Sequence, residues 1–386
     1  MTVAPRLPAL RALMLLLAAP LFGAPAAKVG YNESIQPILA ENCFQCHGPD
    51  SASRKAKLRL DRFEFATKPR GGGDLPAAIV PGDPTRSPLI ERLKSKDPEE
   101  VMPPPETHKR LREEELALVE RWISEGAGYE EHWSLLAPKS VAVPEPPSAR
   151  GWARNPVDQF IAQKLDAAGL KPAREEAPLR LPRRAALDIT GLPPSPADIT
   201  AFEADRAPGS YERAVDRLLA SESAAEHSAR LWLDAVRYAD THGIHIDNYR
   251  TIWPYRDWVV EAFRRNQPFD QFTVEQVAGD LLPGSTLEQR VASGFNRCLS
   301  TTSEGGAIAE EYEAIYAKDR VETLSTVWLG LTTGCASCHD HKFDPVSQRD
   351  FYALTAFFRN NTMPAMDGNR FDTPPTLFVP ALPDRV

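Results

Sequence analysis

The feature that most constrains this 386-residue chain is a five-residue pattern written twice: Cys43-Phe44-Gln45-Cys46-His47 and Cys335-Ala336-Ser337-Cys338-His339. Four of the five cysteines fall in it. At this chain's Cys and His frequencies, one such match arises by chance about 10⁻³ times, so two are not accidental. The pattern reads as covalent attachment of a c-type haem. One helical turn brings two thiols to the two vinyl groups of the porphyrin edge, and the following imidazole projects under the ring to bind iron. Two other chemistries use the same letters. A zinc site needs four ligands, which the two motifs together supply as Cys₄ plus His. A thioredoxin-type redox pair precedes a helix in a βαβ setting, and no such setting is visible here.

Composition excludes several classes. Hydrophobic residues make up 42% and charged residues 25%, a soluble balance that rules out wholesale disorder and a multi-span membrane protein. The net charge is −8 and no Lys/Arg-rich run stands out, so nucleic acid is not an expected partner. Arg6 and Arg11, the apolar run from Ala12 to Phe22 and the small residues Ala24, Ala26 and Ala27 read as a secretory signal peptide over 1–27. A membrane span needs about 20 apolar residues, and this run is shorter and broken by Pro20. The mature protein is therefore expected outside the cytoplasm, without a membrane span.

Helical periodicity dominates the rest, and no sustained period-two alternation argues for a sheet. Ser34 is the expected cap of a short helix carrying Ile35, Ile38 and Leu39, which runs into Cys43. Gly48 to Pro105 reads as loop. Leu111–Ile123 is expected as a helix ended by Gly126 and Gly128. A Pro-rich linker is expected over 131–152. Asn155 then caps a helix with Pro156 at its first position and Gly169 beyond its end, burying Val157, Phe160, Ile161 and Leu165. Further helices are expected at Tyr211–Ala220, Ala224–Tyr238, Tyr255–Arg264, Glu288–Phe295, Glu310–Leu331 and Gln348–Phe358. The expected organisation is a cytochrome c-like domain over 28–130, a larger helical domain over 153–362 and a Pro-rich tail over 363–386.

A c-type iron usually takes a ligand on its far face. Met102 stands 55 residues after His47, in Val101-Met102-Pro103-Pro104-Pro105, where prolines hold the backbone without helix support. It is the expected sixth ligand of the first iron. The alternative role of a lone Met is to fill a gap in a core.

These motifs carry a family resemblance. Residues from about Tyr31 to Gly128 resemble the planctomycete-type cytochrome c domain, through Ile35-Gln36-Pro37-Ile38-Leu39, Cys43 to Gly48, Pro88-Leu89-Ile90, Met102-Pro103-Pro104 and Trp122-Ile123-Ser124-Glu125-Gly126-Ala127. Residues from about Asn155 to Phe358 resemble the cytochrome-like domain of unknown function that follows it in exported proteins of planctomycetes and verrucomicrobia. The matching text is Asp188 to Pro194, Arg237-Tyr238-Ala239-Asp240, Tyr255-Arg256-Asp257-Trp258, Ala278 to Pro283 and Cys335 to Pro345. The resemblance implies a class I cytochrome c-like domain, haem attachment and electron transfer, and it implies no substrate. Redox partner proteins, or a further domain encoded separately, are the partners it suggests.

Two haems c are thus expected, on Cys43, Cys46 and His47 with Met102, and on Cys335, Cys338 and His339. The second has no evident distal ligand; His242, His245, Met363 and Met366 are candidates, and His341 lies too close to His339 to reach the far side. An open position there would make that iron a catalytic site. Arg256 and Asp257 are expected to pair among core aromatics, Asp340 and Asp344 to cap or turn the chain, and Cys298 to be buried.

Overall fold

Prolines that open helices and glycines that close them set the architecture. The computed structural model describes residues 28–380 apart from Asp74, His132, Pro178, Leu179 and Phe343. The expected signal segment lies outside the described residues. Among those residues the chain is mainly α, with no β-strand and only isolated β-bridges. It divides into two compact units, one ending at Leu135 and the other beginning at Leu136.

The first unit holds α1 (Gln36–Asn42), α2 (Phe44–His47), α3 (Phe63–Ala66), α4 (Pro88–Lys94) and α5 (Glu113–Ser124). Ser34 does not cap α1. The chain enters through a π-turn over Tyr31–Ile35, and the Ser34 N–H donates to the Gly30 carbonyl from inside that turn. The expected loop between Gly48 and Pro105 contains α3 and α4, the latter opened by Pro88 at its first position. Ile35, Leu39, Leu60, Ile79, Val119, Trp122 and Ile123 form the core. Tyr31, Trp122 and Tyr129 stack beside it with centroids 4.6–5.9 Å apart. The Trp122 indole donates to the Gly128 carbonyl and the Tyr129 hydroxyl to the Leu60 carbonyl, each at 2.9 Å, so the buried polar tips are satisfied.

The second unit holds α6 (Pro156–Ala167), α7 (Leu181–Thr190), α8 (Pro196–Ala204), α9 (Ser210–Leu219), α10 (Glu222–Ala235), α11 (Trp253–Arg264), α12 (Phe269–Ala278), α13 (Leu287–Ala292), α14 (Ala309–Leu324) and α15 (Gln348–Phe358). Asn155 caps α6 as expected, its side chain accepting from the Asp158 N–H at 3.1 Å. The face expected to be buried is not. Val157 is 67% and Ile161 49% exposed, and Ala162 alone on this helix is fully buried. The helix packs on the turn Pro147–Ala149, where the Ser148 hydroxyl donates to the Ala162 carbonyl. The Pro-rich stretch before it thus ends as part of this unit.

Motif residues of the second unit serve its packing, and Arg256, Asp257 and Trp258 also line a cavity. Gly191 takes the left-handed φ of 70° that ends α7. Gln276 is fully buried, and its carbonyl oxygen accepts from the Trp232 indole at 2.9 Å and the Tyr255 hydroxyl at 2.6 Å. The segment from Met363 is tied into the same unit. Arg297 donates to the Thr373 and Pro375 carbonyls, and the Asp367 N–H donates to the Thr302 carbonyl. Gly279 stands where a Cβ would meet the Gln289 carbonyl oxygen at 2.0 Å. Gly279→Ala is therefore expected to destabilise the second unit by about 2–4 kcal/mol, measured by urea unfolding followed by far-UV dichroism.

Candidate functional site

The first motif closes one turn at the end of α1. The Cys46 and His47 N–H groups donate to the Cys43 carbonyl at 3.1 and 2.8 Å. Both thiols are free, Cys43 buried and Cys46 partly so. Burial pushes the Cys43 thiol up to about 12, against the opposing pull of the Lys109 ammonium. His47 Nδ1 is buried with no hydrogen-bond partner. Burial also lowers the His47 pKa, favouring the neutral imidazole that ligates metal. Two free thiols and a neutral imidazole with an orphaned nitrogen, on one turn, fit a covalently attached haem.

Three features that sequence spacing alone missed hold this turn. The Lys55 N–H donates to the Cys46 carbonyl and the Leu60 N–H to the His47 carbonyl, each at 2.8 Å, so the following loop lies directly on the motif. Lys109, beyond Met102, donates to the Glu41 carbonyl at the end of α1. Gly48 comes next after His47, and a Cβ there would stand 2.3 Å from the Phe44 carbonyl oxygen. The one visible signal was Gly48 itself. Gly48→Ala is expected to lower the haem-to-protein ratio of the purified chain severalfold and to cost the first unit about 2 kcal/mol, since the obstacle is backbone. Pyridine haemochrome titration beside thermal unfolding reads both. Met102 is partly buried, and its N–H donates to the Arg92 carbonyl at 3.0 Å, anchoring it beyond α4.

The second motif has the same letters in a different setting. The long helix expected at Glu310–Leu331 is present as α14 continued by a π-turn over Ser325–Leu329, which Gly330 ends with a φ of 63°. Cys335 then opens a 3₁₀ turn over Gly334–Ser337. The Cys338 and His339 N–H groups donate to the Cys335 carbonyl at 3.2 and 3.3 Å, so the spacing is again one turn. Both thiols are free and exposed, and His339 is exposed with Nδ1 donating to the Asp340 carbonyl at 2.8 Å. Among the described residues no group of three or more His, Cys, Asp and Glu side chains is arranged to hold a metal ion.

The other candidates are placed plainly. His242 is buried with both ring nitrogens engaged: Nε2 donates to the Arg370 carbonyl at 2.7 Å, and Nδ1 is 2.6 Å from the Thr301 hydroxyl. Met363 sulfur accepts from Arg320 at 3.7 Å. His245 is exposed, Met366 is partly buried, and His341 is buried, with Nδ1 accepting from the Asp344 N–H at 2.8 Å. Arg256 pairs with Asp257 at 3.3 Å and Glu226 at 3.4 Å, beside the buried Tyr255 and Trp258. Cys298 is buried, and burial pushes its thiol up to about 12, as an inert core cysteine requires. The pair of Arg237 with both Asp319 oxygens, at 2.7 and 2.8 Å, was not visible in the sequence.

A helical unit that presents two free thiols and a buried imidazole with an unpartnered Nδ1 on one turn fits a cytochrome c site, and the family comparison points the same way. Residues 43–106 match the family described as planctomycete cytochrome C, and residues 156–363 match the family described as protein of unknown function (DUF1549). The second match spans more than half of the chain, and the protein belongs to that family, carrying a planctomycete cytochrome c domain ahead of it. No curated protein and no solved structure matches the chain. The cytochrome match points to one haem c, on Cys43 and Cys46. No helix among the described residues is long and apolar enough to cross a membrane.

Proposed function

We propose that the protein is an exported dihaem c-type electron carrier. The observation that carries this is His47: a neutral imidazole with an orphaned buried nitrogen, one turn from two free thiols, inside a cytochrome c domain. A haem held there supplies a single electron at a time by cycling its iron between ferric and ferrous. The protein's part is to hold the ring edge on Cys43 and Cys46, keep His47 neutral and exclude water with the core around Leu39, Leu60 and Trp122. Met102 is the sixth ligand in this account, and Met/His ligation raises the potential. Its segment returns to the motif through Lys109 and Glu41, which supports that assignment. Export follows from the basic and apolar opening of the chain, since c-type attachment takes place on the outer side of the membrane.

Met102→Ala is expected to leave the haem attached but to turn the first iron high-spin or admit an outside ligand. The sulfur–iron charge-transfer band of the oxidised spectrum reads this. A wild type without that band, or a variant that keeps it, contradicts the assignment.

Cys335, Cys338 and His339 hold the second haem in this proposal, because one turn separates their thiols as in the first motif. A second reading makes its iron an open catalytic position. Two observations favour it: both His242 nitrogens and the Met363 sulfur are already engaged within the fold. Carbon monoxide added to the reduced chain is expected to shift the spectrum of one haem in two. A low-spin ferrous spectrum untouched by carbon monoxide removes the open site.

A further inference from the structure

We propose that the loop of residues 54–70 is the docking face for an acidic partner protein that exchanges electrons with the first haem. The inference rests on the haem assignment above and adds where the partner binds and what its surface is like. Three observations carry it.

The first is charge segregation. The loop carries Arg54, Lys55, Lys57, Arg59, Arg62, Lys68 and Arg70 against Asp61 and Glu64, a net charge of +5 within a chain of net charge −8. Residues 97–131 of the same unit carry eleven acidic and four basic residues, a net charge of −7. The loop is therefore a locally basic stretch in an acidic chain, and a basic patch attracts and orients an approaching acidic partner.

The second is position. Lys55 and Leu60 bind the carbonyls of Cys46 and His47, so the basic segment is the one laid on the haem-binding turn. A partner drawn to it arrives at the redox site.

The third is the availability of the charge. Arg59 is committed to Asp61, Arg54 to the Gly48 and Pro49 carbonyls, and Arg70 reaches the Ala56 and Pro76 carbonyls. Lys55, Lys57 and Lys68 are exposed, and the exposed Arg62 lies 4.0 Å from Asp61. Phe63 and Phe65 stand exposed among them, at 44% and 47%. Exposed aromatic rings ringed by cations suit a protein interface, whose core favours aromatics and whose charged rim sets approach and register.

Two readouts test this on the full chain after its haem content has been measured, so that a haem-free preparation speaks against the earlier assignment and not against this one. The first is haem reduction or oxidation by inorganic reagents of opposite charge, hexacyanoferrate and hexaammineruthenium. The rate constant with the anion is expected to fall at least about fivefold from about 10 to about 300 mM salt, while that with the cation does not fall. The double substitution Lys57→Glu and Lys68→Glu is expected to reverse that order with haem content unchanged. The second readout does not use the haem: acetylation of lysines in the presence of poly-L-glutamate. Protection is expected at Lys55, Lys57 and Lys68 and not at Lys94 or Lys96. A haem-loaded chain whose anion rates ignore salt, or whose lysines are protected uniformly, overturns the proposal. So does tight binding of duplex DNA at physiological salt that blocks hexacyanoferrate, which would assign the face to nucleic acid.

Discussion

Serine at both Cys43 and Cys46 removes one covalent haem from the purified chain. A serine hydroxyl does not form the thioether. His47 alone then holds the ring only reversibly, so the first haem is lost on acid–acetone extraction. In the proposed dihaem account, the same pair of substitutions at Cys335 and Cys338 is expected to remove a second haem. Each variant is expected to show half of the wild-type haem absorbance per protein, and the four-serine chain none. The expected loss is complete at each motif, because attachment is covalent and a weakened site does not hold a fraction of a bond.

The largest expected loss of stability is at Gln276. Gln276→Leu keeps the volume and removes the oxygen that accepts from Trp232 and Tyr255, leaving the partly buried indole and the buried hydroxyl unpartnered. Each costs about 1–3 kcal/mol, so the variant loses about 3–5 kcal/mol, a large part of what a domain has. The melting temperature of the second unit falls by roughly 8–16 °C. Differential scanning calorimetry resolves this, and a shift below about 3 °C means the oxygen is not the hub the geometry makes it.

How much of this was legible beforehand depended on whether the deciding contact was local. α15 begins and ends at Gln348 and Phe358 as expected, because Ser347 and Asp350 cap each other within one turn. Asn155 and Pro156 mark the start of α6 for the same reason. The burial of α6 was misread because periodicity reveals an apolar face but not whether anything packs on it. α7, α8 and α12 were not expected: α7 and α8 open on prolines, and α8 and α12 lack a clear apolar stripe.

The site divides along the same line. The first motif was legible in full, since Cys43, Cys46 and His47 lie on one turn whatever surrounds them. What the loop Lys55–Leu60 and Lys109 do there was not, because those contacts cross loops. The second motif has identical spacing, yet Gly330 ends the preceding helix and leaves a surface 3₁₀ turn. His242 looked like a free ligand because Thr301 and Arg370, its partners, are 59 and 128 residues away.

The intact mass of the full chain, expressed together with c-type maturation machinery, tests the central claim most directly. The account predicts the mature polypeptide plus two haems, falling to one with serine at Cys43 and Cys46. A chain that carries no covalent haem under those conditions contradicts it, and a wild type with a single haem contradicts the assignment of the second motif.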